Sequence, residues 1–145
     1  MKIVVTQLKN VIVYSLLILA TFSFSACSKK VAFINSTVVP AAEGKIDIDR
    51  DENKNYTIDI EVIRLADPSR LTPPKKTYVT WLETESEGTK NIGQLKSISG
   101  FFTNSLKATL RAVSPLKPKR VFITAEDDAT AQSPGSQVVM TTKSF

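Results

Sequence analysis

The strongest constraint on this chain is a strict alternation of apolar and polar residues, which is clearest over residues 56–62. Single polar residues separate its four apolar members, Tyr56, Ile58, Ile60 and Val62. Successive side chains of a strand point to opposite faces, so this segment predicts a strand with one buried face. Similar alternation recurs from Gly44 onward, and no stretch there sustains a helical period. The sequence therefore predicts an all-β module.

Turn-forming residues interrupt the alternating segments at intervals of roughly 8–12 residues, the spacing typical of β-sandwiches. We expect about seven short strands, arranged as an immunoglobulin-like antiparallel two-sheet sandwich. The strongest strand is expected at 77–84, which is rich in aromatic and β-branched residues. The apolar side switches at Val62–Ile63, which predicts a bulge or a strand end there.

Several residues around the 77–84 segment carry structural expectations. Tyr78 and Trp81 fall on opposite faces of one strand, so the core buries one ring while a loop or the outer surface takes the other. Gly93 lies inside a predicted strand, which indicates a bulge or the close approach of an aromatic ring. Pro134 and Gly135 suit a turn before the last strand.

The N-terminal region ends in the only cysteine of the chain, Cys27. An apolar stretch at 11–20 precedes it, and Lys2 and Lys9 lie ahead of that stretch. This arrangement is typical of a signal peptide, which is helical in its apolar part. The end of the segment, Phe24-Ser25-Ala26-Cys27, resembles the cleavage site of a bacterial lipoprotein.

The lipoprotein resemblance implies specific roles for these residues. The Cys27 thiol would take a diacylglyceryl group, and a dedicated signal peptidase would cut after Ala26. Ser25 and Ala26 are small enough for a narrow protease cleft, whereas Phe24 stands where such signals usually carry leucine. Serine at position 28 implies sorting to the outer membrane, on either of its faces.

An uncleaved transmembrane anchor is the alternative interpretation of the same segment. A membrane-spanning helix needs about 20 apolar residues, and residues 8–26 nearly reach that length. In both cases everything after Cys27 is expected outside the inner membrane. The domain organisation predicted is a signal peptide at 1–26, a lipidated N-terminus and tether at 27–43 with a short strand near 31–34, and a sandwich at 44–145.

The composition of the mature chain limits its chemistry. Lys2 and Lys9 would leave with the signal peptide, so the net charge falls from +5 to +3, which argues against a nucleic-acid binder. The chain has no histidine, and its one thiol is expected to carry lipid. Imidazole bases, Cys/His metal clusters and disulfides are therefore excluded. We expect no enzyme, no cofactor and no metal site.

The C-terminal part of the chain resembles the extracytoplasmic C-terminal domain of anti-sigma-K factors. The resemblance covers roughly residues 56–145 and rests on short motifs around these residues: Tyr78, Trp81, Leu82, Gly88, Gly93, Leu95, residues 121–126, Pro134, Gly135 and residues 138–140. It implies a β-domain without catalytic residues. An anti-sigma factor also needs a cytoplasmic helical domain and a transmembrane helix, so no direct sigma-factor binding is expected here.

Six charged or aromatic groups could support other sites. The alternating residues 47–53 begin like a calcium loop, but the glycine and glutamate that such a loop requires are missing. The acidic groups at 83–87 and 126–128 are expected to be solvated edges. The basic groups at 75–76 and 117–120 would face anionic lipid or polysaccharide if they shared one end of the sandwich. If the segment is extended, one ring of the Phe101–Phe102 pair must point away from a core that holds the other.

We therefore expect a non-catalytic, lipid-anchored protein of the cell envelope, whose sandwich serves as a binding or structural module. Its partners would be the membrane, through the lipid, and an envelope protein or a polysaccharide. The alternative is an accessory sensor domain of an anti-sigma-like envelope signalling system.

Overall fold

The computed structural model describes residues 28–98 and 107–145, and in these ranges the chain forms two packed antiparallel sheets. The expected two-sheet β-sandwich is confirmed, although the described residues contain nine strands rather than about seven. The strands are β1 (Lys29–Ala32), β2 (Glu43–Arg50), β3 (Tyr56–Ile63), β4 (Thr77–Thr84), β5 (Gly88–Gln94), β6 (Lys96–Ile98), β7 (Lys107–Ser114), β8 (Pro118–Glu126) and β9 (Val138–Thr141). One 3₁₀ turn, Pro68–Arg70, lies in the connection between β3 and β4.

The first sheet has five strands in the order β1-β2-β3-β7-β6. The alternation that predicted β3 determines its packing, because Ile58, Ile60 and Val62 are buried in the core between the sheets. Asp59 and Glu61 lie on the outer face and bind basic residues of neighbouring strands. The strand ends at Ile63, as expected, and Arg64 follows with a φ of 56° that turns the chain out of the sheet.

The second sheet has four strands in the order β5-β4-β8-β9. Its central strands β4 and β8 are buried along almost their whole length, which is the pattern of strands covered on both faces. Leu82 and Ile123 face the core between the sheets. The opposite face of this sheet is covered as well, by the connection between β8 and β9.

The segment at 28–43, expected as a tether, is instead part of the sandwich. β1 pairs with β2 in the five-stranded sheet, and the chain then crosses to the other sheet. Phe33 bridges to Thr142, and the Ile34 amide donates to the Thr141 carbonyl at 2.8 Å. Burial explains the difference, because Phe33 packs closely over Gly44, where a Cβ atom would lie 2.6 Å from the ring.

Two clusters of buried side chains stabilise the molecule. The larger one lies between the sheets and includes Tyr78. The smaller one lies on the outer face of the four-stranded sheet and consists of Val79, Trp81 and Phe122, with Ala131 packed against it. The two rings of β4 thus take opposite faces, with Tyr78 in the core and Trp81 beneath a loop.

The Gly93 position contains the bulge that the sequence suggested. The register between β4 and β5 shifts at Thr80/Trp81, opposite residues 91–93. Gly93 has a φ of 131°, a backbone conformation that residues with a Cβ atom rarely adopt. The neighbour that approaches Gly93 is Leu110 rather than an aromatic ring.

Candidate binding site at the distal end of the sandwich

The strand registers define two ends of the sandwich. We call the end where β1 begins proximal, because it is closest to Cys27 in the chain. It also holds the turns β2–β3, β4–β5 and β7–β8. The opposite end, called distal, holds the connections β3–β4 and β8–β9.

A cleft of about 440 Å³ opens at the distal end. Its floor is apolar and includes Leu65, Leu95 and Ala108. Its lining also includes the charged residues Asp67, Lys76 and Lys96, together with Gln94. A concave apolar surface with a few polar groups is the usual form of a small-ligand site.

The β3–β4 connection forms one wall of the cleft. Asp67 caps the 3₁₀ turn, with its Oδ1 accepting hydrogen bonds from the Ser69 amide at 2.9 Å and the Ser69 hydroxyl at 2.6 Å. These bonds, from the hydroxyl first and then the amide, lower the pKa of Asp67. Leu65 and Leu71 are buried on either side of the turn and hold the connection against the core.

Tyr78 connects this wall to the sheet. Its hydroxyl donates a 2.9 Å hydrogen bond to the carbonyl oxygen of Ala66. Burial, with a smaller contribution from the charge of Asp67, raises the pKa of Tyr78 to about 12. The phenol therefore stays protonated at neutral pH, so it serves as a donor and not as a base.

Gln94 and Thr77 form the other polar wall. The Gln94 Nε2 donates to the Thr77 Oγ1 at 2.6 Å, and the Leu95 amide donates to the Tyr78 carbonyl at 3.0 Å. The carboxylate of Asp67 and the hydroxyls of Tyr78 and Thr77 are thus already engaged in hydrogen bonds. The side chains left to meet a ligand are apolar ones and the lysines Lys76 and Lys96, for which no direct ion pair is recorded among the described residues. The charge of Lys76 also acts on Asp128, where it is a minor cause of the lowered pKa.

The connection between β8 and β9 covers Trp81 on the outside of the four-stranded sheet. Asn91 Nδ2 donates to the carbonyls of Ala129 and Ala131, at 3.0 and 2.9 Å. Glu126 accepts a 2.7 Å hydrogen bond from the Gly135 amide. Pro134 and Gly135 therefore belong to this covering loop, just ahead of β9.

The acidic groups noted in the sequence do not form one site. Glu126 is buried, with 8% of its surface exposed, contrary to the solvated edge expected, because its carboxylate binds the covering loop. Asp127 pairs with Lys75, and Asp128 accepts hydrogen bonds from Thr130. Glu83, Glu85 and Glu87 each pair with a basic residue.

The calcium-like residues are equally dispersed. Asp47 and Asp49 lie along β2, whereas Asp51 binds the backbone and side chain of Asn55 in the following turn. Within residues 28–98 and 107–145, no group of three or more potential metal-ligating side chains comes together.

The two basic groups lie at opposite ends of the sandwich, so the shared surface considered from the sequence does not form. Lys75 and Lys76 precede β4 at the distal end, whereas Lys117, Lys119 and Arg120 lie at the proximal end. Lys117 pairs with Glu85, while Lys119 and Arg120 both pair with Glu83.

Several predicted residues lie outside the part of the chain that the structure describes. These are the lipidation residue Cys27, the peptidase recognition residues Phe24, Ser25 and Ala26, and the Phe101–Phe102 pair. Among the residues described, no helix has the length and apolar character required to cross a bilayer. The distal cleft itself was not predicted, because it depends on which loop residues the fold brings together.

Comparison of the chain with family models, with curated proteins and with solved structures gave no match.

Proposed function

We infer that this chain is a non-catalytic, lipid-anchored protein of the cell envelope, located at the outer membrane, whose sandwich is a binding or structural module. The observation that carries the proposal is the sequence Phe24-Ser25-Ala26-Cys27, which follows the apolar stretch at 11–20. β1 begins at Lys29, two residues after the cysteine. A lipid on Cys27 would then hold the sandwich by its proximal end, with the distal cleft facing away from the membrane.

The strand order supports an immunoglobulin-like arrangement. In that fold strands A, B, E and D form one sheet, and strands C, F and G form the other. Here β2, β3, β7 and β6 are neighbours in one sheet, while β4, β8 and β9 are neighbours in the second with β5 at its edge. β1 adds a further edge strand. β4 occupies the position of strand C, and its Trp81 packs on the outer face, whereas the strand-C tryptophan of immunoglobulin domains packs between the sheets.

The state of the polar groups in the distal cleft supports binding rather than catalysis. General acid–base chemistry needs a group whose pKa lies near the working pH. The pKa of Tyr78 is far above neutrality and that of Asp67 is lowered. Neither shift suits proton transfer at neutral pH, whereas apolar floor residues and two lysines suit an anionic or amphipathic partner.

Replacement of the cysteine tests the anchor. Cells that express the wild-type chain, Cys27→Ser or the matched control Ser28→Ala are fed an alkyne-tagged fatty acid. We expect labelling of wild type, recovered in the outer-membrane fraction, and of Ser28→Ala, but no labelling of Cys27→Ser. Label retained by Cys27→Ser, or a wild-type N-terminus without acyl groups, would refute the proposal.

Photocrosslinking tests the binding role of the distal cleft. A photoreactive residue replaces Lys96 at the cleft, or Lys45 on the outer face of the five-stranded sheet as control. An envelope protein or polysaccharide captured only from position 96 supports the binding module. A membrane-spanning regulator as the sole product would favour the accessory sensor domain instead, and equal capture from both positions would refute a distal site.

A further inference from the structure

A second concave surface lies beside the first strand, near the proximal end. This groove, which we call the proximal groove, runs between residues 29–35 and residues 143–145 and has a volume of about 570 Å³. Its floor includes Val31 and Phe145, which pack against the core. Ile34 lies at its margin with 44% of its surface exposed.

Two lysines give the proximal groove a positive charge. Lys29 places its Nζ 5.2 Å from the centre of the Phe145 ring, and Lys143 belongs to the opposite wall. The structure records no carboxylate partner for either lysine among the described residues, and the groove lining contains no acidic residue. Lys30 also lines the groove, but it lies on the opposite face of β1 from Lys29, the face that it shares with Asp47 of β2. We therefore assign the binding charge to Lys29 and Lys143, and we expect Lys30 to be protected only as a neighbour of a docked groove.

Other basic residues at this end lie in ion pairs, and Arg120 shares the Glu83 carboxylate with Lys119. Lys117 binds Glu85 at 2.9 Å, and Lys119 binds Glu83 at 2.8 Å. The turn between β2 and β3 carries both signs, with Arg50 and Lys54 beside Asp51 and Glu52. The proximal groove therefore offers an external anion two lysines, Lys29 and Lys143, that no recorded ion pair among the described residues engages.

The position of the groove in the chain indicates what covers it. Lys29 follows Cys27 by two residues, which span at most about 7 Å even when fully extended. An acyl chain on Cys27 would therefore keep Lys29 at the level of the lipid headgroups. Lysines beside exposed apolar side chains are also the composition of surfaces that lie at a membrane interface.

We propose that the proximal groove docks the sandwich onto anionic phospholipids of the membrane that holds its lipid anchor. Lys29 and Lys143 bind headgroup phosphates, while Ile34, which is exposed at the groove margin, contacts the acyl boundary. This inference rests on the proposed function, since it places Cys27 in the same bilayer. It also predicts how the domain is oriented, because docking through the groove turns the side of the sandwich that carries β1 towards the membrane.

Lysine reactivity tests the docking. The protein is purified from membranes with its native N-terminus and inserted into vesicles of phosphatidylcholine alone or with phosphatidylglycerol. Amine-specific labelling of each lysine is then followed by mass spectrometry.

Each basic residue near an anionic bilayer strengthens binding by about fivefold. We therefore expect Lys29 and Lys143 to react roughly fivefold or more slowly on the anionic vesicles, and salt to abolish the difference. Lys76 and Lys96, at the distal end, should react equally on both.

Two double variants distinguish docking through the groove lysines from a general effect of the protein's net charge. In Lys29→Gln/Lys143→Gln, the reporter Lys30 should lose its protection on anionic vesicles. The control Arg70→Gln/Lys107→Gln, which removes the same charge from the distal end, should retain it. Equal reactivity of Lys29 and Lys143 on the two vesicles would overturn the proposal, as would unchanged protection of Lys30 in the groove variant.

The same digest reports the mass of the peptide that contains Cys27. An acylated Cys27 with unprotected groove lysines would refute the docking and leave the proposed function standing. An unmodified Cys27 with protected groove lysines would refute the lipid anchor and leave the docking standing.

Discussion

Trp81 and Thr124 are joined across the four-stranded sheet by a 2.7 Å hydrogen bond from the indole Nε1 to the threonine Oγ1. The threonine hydroxyl in turn donates to Glu126 at 2.5 Å, and the same carboxylate oxygen accepts the Gly135 amide. Trp81 and Thr124 are fully buried. This chain of polar contacts connects β4 to the loop that covers it, so the loop is part of the fold's stabilisation.

Thr124→Val should destabilise the domain, because it removes the acceptor of Trp81 and a donor to Glu126 together. Leaving a buried polar group unpaired costs about 1–3 kcal/mol, and more if it is charged. We expect the free energy of unfolding to fall by about 2–4 kcal/mol, measured by urea denaturation with circular dichroism. The control Thr109→Val, at a half-buried position on β7, should stay within about 0.5 kcal/mol of wild type. Equal losses in the two variants would contradict the role of the Thr124 hydroxyl.

Gly135→Ala should release the covering loop from the sheet. A Cβ atom at Gly135 would lie 2.8 Å from Oε2 and 3.1 Å from Oε1 of Glu126, so the carboxylate must move and its bond to the Gly135 amide is lost. We expect a loss of about 1–3 kcal/mol and faster hydrogen exchange at residues 129–137, measured by mass spectrometry. Ser136→Ala, at the next and equally exposed position, should change neither quantity. Unchanged exchange in Gly135→Ala would show that Glu126 does not hold the loop.

The β architecture could be predicted because it depends on local alternation. The pattern in β3 assigns Ile58 and Ile60 to the core with no knowledge of partner strands. The opposite placement of Tyr78 and Trp81 follows from the same two-residue period. The two-residue period alone does not predict which of the two rings enters the core, because that choice depends on the loop that packs over Trp81.

Features that depend on long-range pairing were missed. The segment at 28–43 has weak alternation and proline, so it resembled a tether, yet Phe33 reaches Thr142 more than 100 residues later. Glu126 was missed for a different reason: its partners Thr124 and Gly135 are near in sequence, but only the folding of the loop over the sheet brings the Gly135 amide to the carboxylate. Of the two lysines of the distal cleft, Lys76 belongs to the basic group at 75–76 that the sequence singled out, whereas Lys96 carries no sequence signal that distinguishes it from other surface lysines.

Glu83 should make the domain sensitive to acid. Hydrogen bonding from Lys119, and further hydrogen bonding and charge from Arg120, lower its pKa from 4.5 despite partial burial. A carboxylate whose pKa is lowered by folding stabilises the folded state above its unfolded pKa, and that stability is lost as the pH falls through the folded pKa. We expect the free energy of unfolding of wild type to exceed that of Glu83→Gln by about 1 kcal/mol at neutral pH. This difference should disappear below pH 4.5, as the pH falls through the folded-state pKa of Glu83.

Urea denaturation across the acid range measures this difference. The control is Glu52→Gln, an exposed acid for which the structure records no ion pair among the described residues. Its difference from wild type should be small at every pH. A Glu83→Gln difference that stayed constant from neutral pH to strong acid would show that the bonds to Lys119 and Arg120 do not stabilise the fold.

Tyr78 should make the domain sensitive to alkali. Burial raises its pKa from 10 to about 12, so the folded state keeps the phenol protonated where the unfolded chain ionises. A group whose pKa is raised by folding contributes stability below its unfolded pKa and loses it as the pH rises through the folded pKa. The free energy of unfolding of wild type should therefore fall by roughly 1–3 kcal/mol between pH 10 and pH 12.

Tyr78→Phe should lack most of this alkaline loss, although it is less stable by about 1 kcal/mol at neutral pH because the bond to the Ala66 carbonyl is missing. Absorbance titration at high pH gives an independent measure, since the component near pH 12 should be absent from the variant. Tyr56→Phe serves as the matched control and should keep that component. If the absorbance component near pH 12 remained in Tyr78→Phe, it would not come from the Tyr78 phenol at the wall of the distal cleft. The idea that this phenol holds the connection at 64–76 would then be wrong.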